Sequence, residues 1–205
     1  MTGALHPSLH RLRDALRTYA RTEAPDIQAF CGAALAEDHL EQPLPPHSWP
    51  VIDRLALMAE QACPATEPVV RAVIAAAPHL HWRHSYTQDD PGIDASYLAS
   101  SGWFNLIAPS GPFVSRSLRL SVGYWGEGLH YPHHHHGPEE IYLTLAGSAV
   151  YLSEGRAPLR GGPGATVAHH ARQWHAATMD QAPLLAAAFW RGDGLEVKSV
   201  LRDAP

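Results

Sequence analysis

The chain has no excess of positive charge: 15 Lys and Arg stand against 20 Asp and Glu, a formal net charge of −5. It therefore carries no electrostatic footprint for a nucleic-acid backbone. It also lacks any apolar run approaching the roughly 20 residues of a membrane-spanning helix. The opening MTGALHPSLHRLRDALRTY has neither the apolar stretch nor the small-residue cleavage site of a secretory signal, so a cytoplasmic location is expected. Cysteine is scarce, with only Cys31 and Cys63, both in an apolar, helical-looking context. Such a pair reads as two buried thiols rather than a disulfide, and both lie far from the histidines, which excludes them as metal ligands. Charged residues are sparse too, at 17% against 45% hydrophobic, which fits a globular chain with a real core. No internal repeat and no low-complexity linker interrupts the 205 residues, a length that suits one domain with an appended subdomain.

Residues 1–81 read as a helical region packed on something larger. Leu9, Leu12, Leu16 and Tyr19 follow one helix face after Pro7 and Ser8. Asp26 to Ala36 is a second candidate helix. A third follows Pro50, with Ile52, Leu55 and Ala59 on one face, and a fourth spans Glu67 to Ala77. None carries a cluster of metal-ligating residues, so no ligand is expected from this region. From residue 82 onward the texture changes to short alternating segments split by Gly, Pro and Ser: 103–107, 115–124, 129–135, 139–145, 148–153, 165–168, 175–179, 184–191 and 195–200. That pattern predicts a mainly β, antiparallel barrel over 82–205.

What the chain has in abundance is histidine, 15 in all, concentrated in 130–136 and 169–175. In a strand, alternate side chains share a face, so His134 and His136 face together while His133 and His135 point away. Glu140 and Tyr142 face together after the Gly137-Pro138 turn. Imidazole and carboxylate donors suit zinc, iron or manganese, and one divalent transition metal per chain is expected. His175, opening a later strand, can complete the set. His169 and His170 fall in the loop before it and read as loop residues. Tyr131, Tyr124, Trp125 and Trp190 surround the motif in sequence, whereas Trp49, Trp82 and Trp103 read as core packing.

Gly128, His134, His136, Glu140 and Gly147 match the first cupin motif, G-x5-H-x-H-x3-E-x6-G. Gly164-Ala-Thr-Val followed by His175 keeps part of the second, without its usual proline. The chain thus resembles the cupins, a fold of double-stranded β-helix (jelly-roll) barrels. The run Tyr131-Pro-His-His-His-His-Gly-Pro-Glu-Glu-Ile-Tyr-Leu-Thr-Leu-Ala-Gly, with His175 and Trp190, is similar to the cupin-type dimethylsulfoniopropionate (DMSP) lyases, the DddQ/DddL/DddW group. The resemblance implies metal ligands at His136, Glu140 and His175, with His134 in or beside the coordination sphere. It implies a catalytic tyrosine at Tyr142 and a second pocket tyrosine at Tyr131. Tyr131, His134, Trp190 and Tyr124 are the expected substrate contacts. The implied partner is a small zwitterion, neither nucleic acid nor membrane, and a homodimer is possible. The fold also hosts ferrous dioxygenases and non-catalytic effector binders, which remain alternatives.

Overall fold

The computed structural model describes residues 4–202. Helix α1 (Pro7–Thr22) starts where His6 Nδ1 accepts the Ser8 N–H, and it buries Leu9, Leu12, Leu16 and Tyr19 as the spacing predicts. Helix α2 (Pro25–Cys31) runs into a 3₁₀ turn over Gly32–Leu35. The third candidate helix is wound as a 3₁₀ helix, Pro50–Gln61. Val51, Leu55 and Met58 are fully buried there, while Ile52 and Ala59 pack against the core only partly buried. Helices α3 (Glu67–Ala76) and α4 (Ala95–Ser100) follow, the latter capped by Asp94, whose Oδ1 accepts the Tyr97 N–H at 2.7 Å.

Twelve strands are present among the described residues: β1 (Leu40–Glu41), β2 (Ser101–Ala108), β3 (Phe113–Val114), β4 (Leu118–Trp125), β5 (His130–His135), β6 (Glu139–Gly147), β7 (Ala149–Ser153), β8 (Leu159–Gly161), β9 (Thr166–His169), β10 (His175–Thr178), β11 (Leu184–Arg191) and β12 (Val200–Leu201). They form a seven-stranded sheet, ordered β1-β3-β2-β4-β11-β6-β9, and a five-stranded sheet, ordered β12-β5-β10-β7-β8. Apart from the parallel β2/β3 contact, the ladders are antiparallel. The two sheets face each other as the jelly-roll barrel of a cupin. The stretch 195–200, expected as a strand, is mostly loop, because Gly192 and Gly194 take φ of 101° and 82° and turn the chain before it can pair.

Two apolar clusters lie on opposite faces of the large sheet. One joins the helices to its outer face through Leu12, Leu16, Val70, Phe104, Leu120, Val122, Leu143 and Phe189. The other fills the barrel with Tyr86, Tyr97, Trp125, Tyr142 and Tyr151. With both faces covered, β6 and β11 are apolar nearly throughout and do not alternate cleanly.

Candidate metal centre

The centre is assembled from four strands and the turn after one of them. His134 projects from β5, and His136 from the residue beyond it. Glu140 comes from β6, His169 from β9 and His175 from β10. Register brings them together: His175 pairs with His134, and Glu140 pairs with His169. All five are buried, Glu140 at 0% exposure. Around Glu140 Oε2 stand His136 Nε2 at 3.2 Å, His175 Nε2 at 3.2 Å and His169 Nδ1 at 3.4 Å. Donor atoms of His134, His136 and His175, and those of Glu140, His169 and His175, form two overlapping groups, each lying within 4.8 Å.

The ring orientations are fixed locally. Nδ1 of His134 donates to the Pro132 carbonyl at 2.8 Å, that of His136 to Pro138 at 3.0 Å, and that of His175 to Gln173 at 2.8 Å. A proton held on Nδ1 leaves Nε2 as a bare lone pair aimed at the centre. His169 is held the other way round, with Nε2 on Ser153 Oγ at 3.0 Å. His134 Nε2, His175 Nε2 and His169 Nδ1 are buried without a hydrogen-bond partner. Lone pairs converging on a buried carboxylate repel one another unless a cation lies among them. The donor set therefore fits a divalent ion with nitrogen and oxygen ligands.

The centre opens onto a cavity of about 250 Å³. Tyr142 reaches it from β6, its ring 5.9 Å from that of His169 and 6.5 Å from that of His175. The Tyr131 ring stacks on His134 at 4.1 Å, and its hydroxyl meets that of Tyr86 at 3.1 Å. Trp190 stacks on His136 at 3.9 Å while its Nε1 donates to Glu140 Oε1.

The family model for dimethylsulfoniopropionate lyase matches residues 26–186. Dimethylsulfoniopropionate lyase DddQ of Ruegeria pomeroyi is 37% identical over 177 residues, 86% of each chain. The chain belongs to the dimethylsulfoniopropionate lyase family. Among solved structures, one from the crystal structures of the DMSP lyases RdDddP and RnDddQII superposes with a TM-score of 0.89 at 38% identity, covering 96% of this chain and 98% of the other. The crystal structure of DMSP lyase DddQ from Ruegeria pomeroyi DSS-3 gives 0.86 at 34% identity, covering 95% and 96%.

In this member of the DMSP lyase family, burial pushes the Glu140 carboxyl up, but His136 and then the His169 and His175 imidazoles around it outweigh burial and hold it well below the carboxylate range. Burial, reinforced by His175, holds the His134 imidazole well below its ordinary value, and burial lowers His169 as well. Burial, then the Glu140 charge, raises the Tyr142 phenol; burial and the neighbouring tyrosines raise Tyr131.

Three sequence expectations need correction. Tyr124 does not face the cavity: β4 turns Arg119, Ser121, Gly123 and Trp125 inward, so Tyr124 points to the opposite face, among the helices and beside Arg54. His169 is no loop residue but the inward-facing end of β9, in phase with Val167. Extending the expected strand by one residue brings it in by parity. Trp103 is a cavity wall rather than core, held between the Arg83 and Arg119 guanidiniums at 4.4 and 4.7 Å. Arg83 and Tyr86 also reach the cavity, from an irregular segment with no period to signal it. His133 and His135 turn away as expected, with His135 against Trp174 at 4.4 Å. No helix among the described residues is long and apolar enough to cross a membrane.

Proposed function

We propose that this protein is a metal-dependent carbon–sulfur lyase that splits DMSP into dimethyl sulfide and acrylate by base-initiated β-elimination. The observation that carries the reading is the buried Tyr142 phenol, which lines the cavity together with Glu140 of the histidine cluster, in a member of the DMSP lyase family. His134, His136, Glu140 and His175 hold one divalent ion, zinc, ferrous iron or manganese, and the position of His169 makes it a further candidate ligand. When bound, the ion supplies Lewis-acid stabilisation of negative charge and draws an adjacent phenol toward its anion.

As the phenolate, having lost its own proton to solvent beside the bound ion, Tyr142 Oη removes the α-proton as general base. The released electron pair forms the Cα–Cβ double bond as the Cβ–S bond breaks. Dimethyl sulfide leaves with the C–S electron pair, acrylate remains, and the proton on Tyr142 passes to solvent. Tyr131, Trp125 and Tyr86 give the cavity an aromatic wall for the sulfonium, a cation–π contact being worth about 0.5–2 kcal/mol. Trp190 secures the Glu140 carboxylate from behind, and burial of the centre excludes competing water. The test is to incubate metal-replete protein with DMSP under anaerobic conditions and assay headspace dimethyl sulfide. Absence of product, or an absolute requirement for oxygen, refutes the reading.

A further inference from the structure

The strands that carry the metal ligands have a second, outward face. On β5 His134 points into the barrel, so its neighbour His133 points out. Just before β10 the same parity sends Trp174 outward beside inward His175. Leu201 of β12 pairs with His134 and packs against the barrel cluster. Arg202, the next residue, therefore turns outward, and its backbone N–H donates to the His133 carbonyl at 2.9 Å. The turn after β7 closes the group by bringing in Glu154 and Arg156; the Glu154 N–H donates to the Trp174 carbonyl at 2.8 Å. With Leu152 these side chains line a cavity of about 150 Å³ on the outer wall of the barrel. It shares no residue with the cavity at the metal centre.

The charge in this recess is uneven. Two guanidiniums line it against one carboxylate, Glu154, and none of the three forms an ion pair among the described residues. Arg156 spends Nη1 on the Ala168 carbonyl at 2.8 Å. Arg202 lies over the Trp174 ring at 4.1 Å, and His135 meets the same ring edge-on at 4.4 Å. A stacked guanidinium keeps its N–H edge free for an acceptor. A second feature asks for that acceptor: Arg202 Nε and His133 Nδ1 are both buried without a hydrogen-bond partner. Buried donors are seldom left so, and an imidazole Nδ1 can carry the proton it donates.

We propose that this recess binds a small tetrahedral oxyanion, inorganic phosphate or sulfate, between Arg202, His133 and Arg156. Arg202 and His133 approach from neighbouring strands and Arg156 from the turn after β7, so the donors do not lie in one row. That suits an ion with oxygens pointing several ways better than a flat carboxylate, whose two oxygens share a plane. The volume is that of about five water molecules at about 30 Å³ each, room for one such ion and little more. The site lies on the reverse of the wall that holds His134 and His175, and it stands whether or not the lyase reading does.

Phosphate and sulfate are titrated separately into metal-replete protein by calorimetry at constant ionic strength, with acetate as the planar control. Wild type is expected to bind at least one tetrahedral anion saturably, and acetate at least about tenfold more weakly. Arg202→Gln and Arg156→Gln are each expected to weaken the anion about 10- to 100-fold, as for loss of a charge-assisted hydrogen bond. Glu154→Gln removes the one acid lining the recess and is expected to tighten it. Arg156 is exposed on a turn, so its variant carries the test if Arg202→Gln does not fold. Metal content should be unchanged in all three. Saturation by phosphate alone, by sulfate alone or by both supports the site and names the ion. The proposal is overturned if neither anion binds saturably, if acetate binds as tightly, or if the folded arginine variants bind within twofold of wild type, which would assign the uptake to the metal centre.

Discussion

Replacing Tyr142 with Phe removes one oxygen from the centre. The side chain is 7% exposed, and its ring lies 6.0 Å from Tyr151 and 5.9 Å from His169, so the packing survives. Glu140 keeps Trp190 Nε1 on Oε1 and His136 and His175 at 3.2 Å from Oε2. The stability change is therefore expected to stay within about 1 kcal/mol, the net worth of an ordinary hydrogen bond. Metal content should persist, since no imidazole or carboxylate donor is altered. Turnover is another matter. Loss of a general base lowers rates by about 10²–10⁴, or roughly 3–5 kcal/mol in the barrier. The contrast between the two figures is the signature. Tyr131→Phe is the comparison: its hydroxyl meets Tyr86 at 3.1 Å, and its ring still covers His134, so kcat should fall less than about tenfold. Headspace dimethyl sulfide, elemental analysis and circular dichroism on both variants decide the matter. Near-normal turnover in Tyr142→Phe with collapse in Tyr131→Phe would transfer the base role to Tyr131. Normal turnover in both would end the phenol-base mechanism.

Glu140→Gln keeps the shape of a side chain at 0% exposure but removes its charge, so bound metal should fall below half-occupancy by elemental analysis; full retention would remove Glu140 from the ligand set. Gly147→Ala places a Cβ 1.7 Å from the Pro183 carbonyl oxygen at φ +72°, and should cost at least about 2 kcal/mol, a fall of roughly 4–8 °C in Tm for a chain of this size. An unchanged Tm would mean that the β6–β7 corner is looser than drawn. Metal-stripped protein should lose stability in acid. Burial holds His134 and His169 below the 6.5 of the unfolded chain, so their contribution is full above about pH 6.5 and is lost as pH falls toward their folded values. Glu140, held below 4.5, adds a further loss at lower pH. A Tm independent of pH between about 7 and 5 would contradict this.

The barrel, the helical region and most of the proposed ligands were legible because they rest on short-range rules. His134, His136 and Glu140 follow from period-two alternation beside a five-point motif, and α1 follows from its apolar stripe. The errors share a physical cause. The usual inference puts apolar side chains inside, yet the cavity side of β4 is the polar one, Arg119 and Ser121, while Leu120, Val122 and Tyr124 pack under the helices. Tyr124, expected at the cavity with its neighbour Trp125 because both precede the motif, lies on the opposite face from Trp125. Trp103 was taken for core because nothing local says that two guanidiniums lie against it. His169 was lost through a strand end placed one residue short, the least reliable part of any sequence-based boundary.

The carbonyls of Pro132, Pro138 and Gln173 aim the three imidazoles, and each lies within two residues of the ring it holds. The bearings of the donors are thus set first by their own stretches of chain, with Trp190 stacked on His136 as a more distant support. An arriving ion meets rings whose rotational freedom was given up when the barrel closed, and little of its binding energy goes into arranging them. Such a centre is rigid in direction but not chemically exclusive: the same imidazole and carboxylate bearings suit several first-row dications. Which ion occupies it is then a matter of supply in the cell as much as of the protein, and exchange of one for another should proceed without any refolding of the barrel.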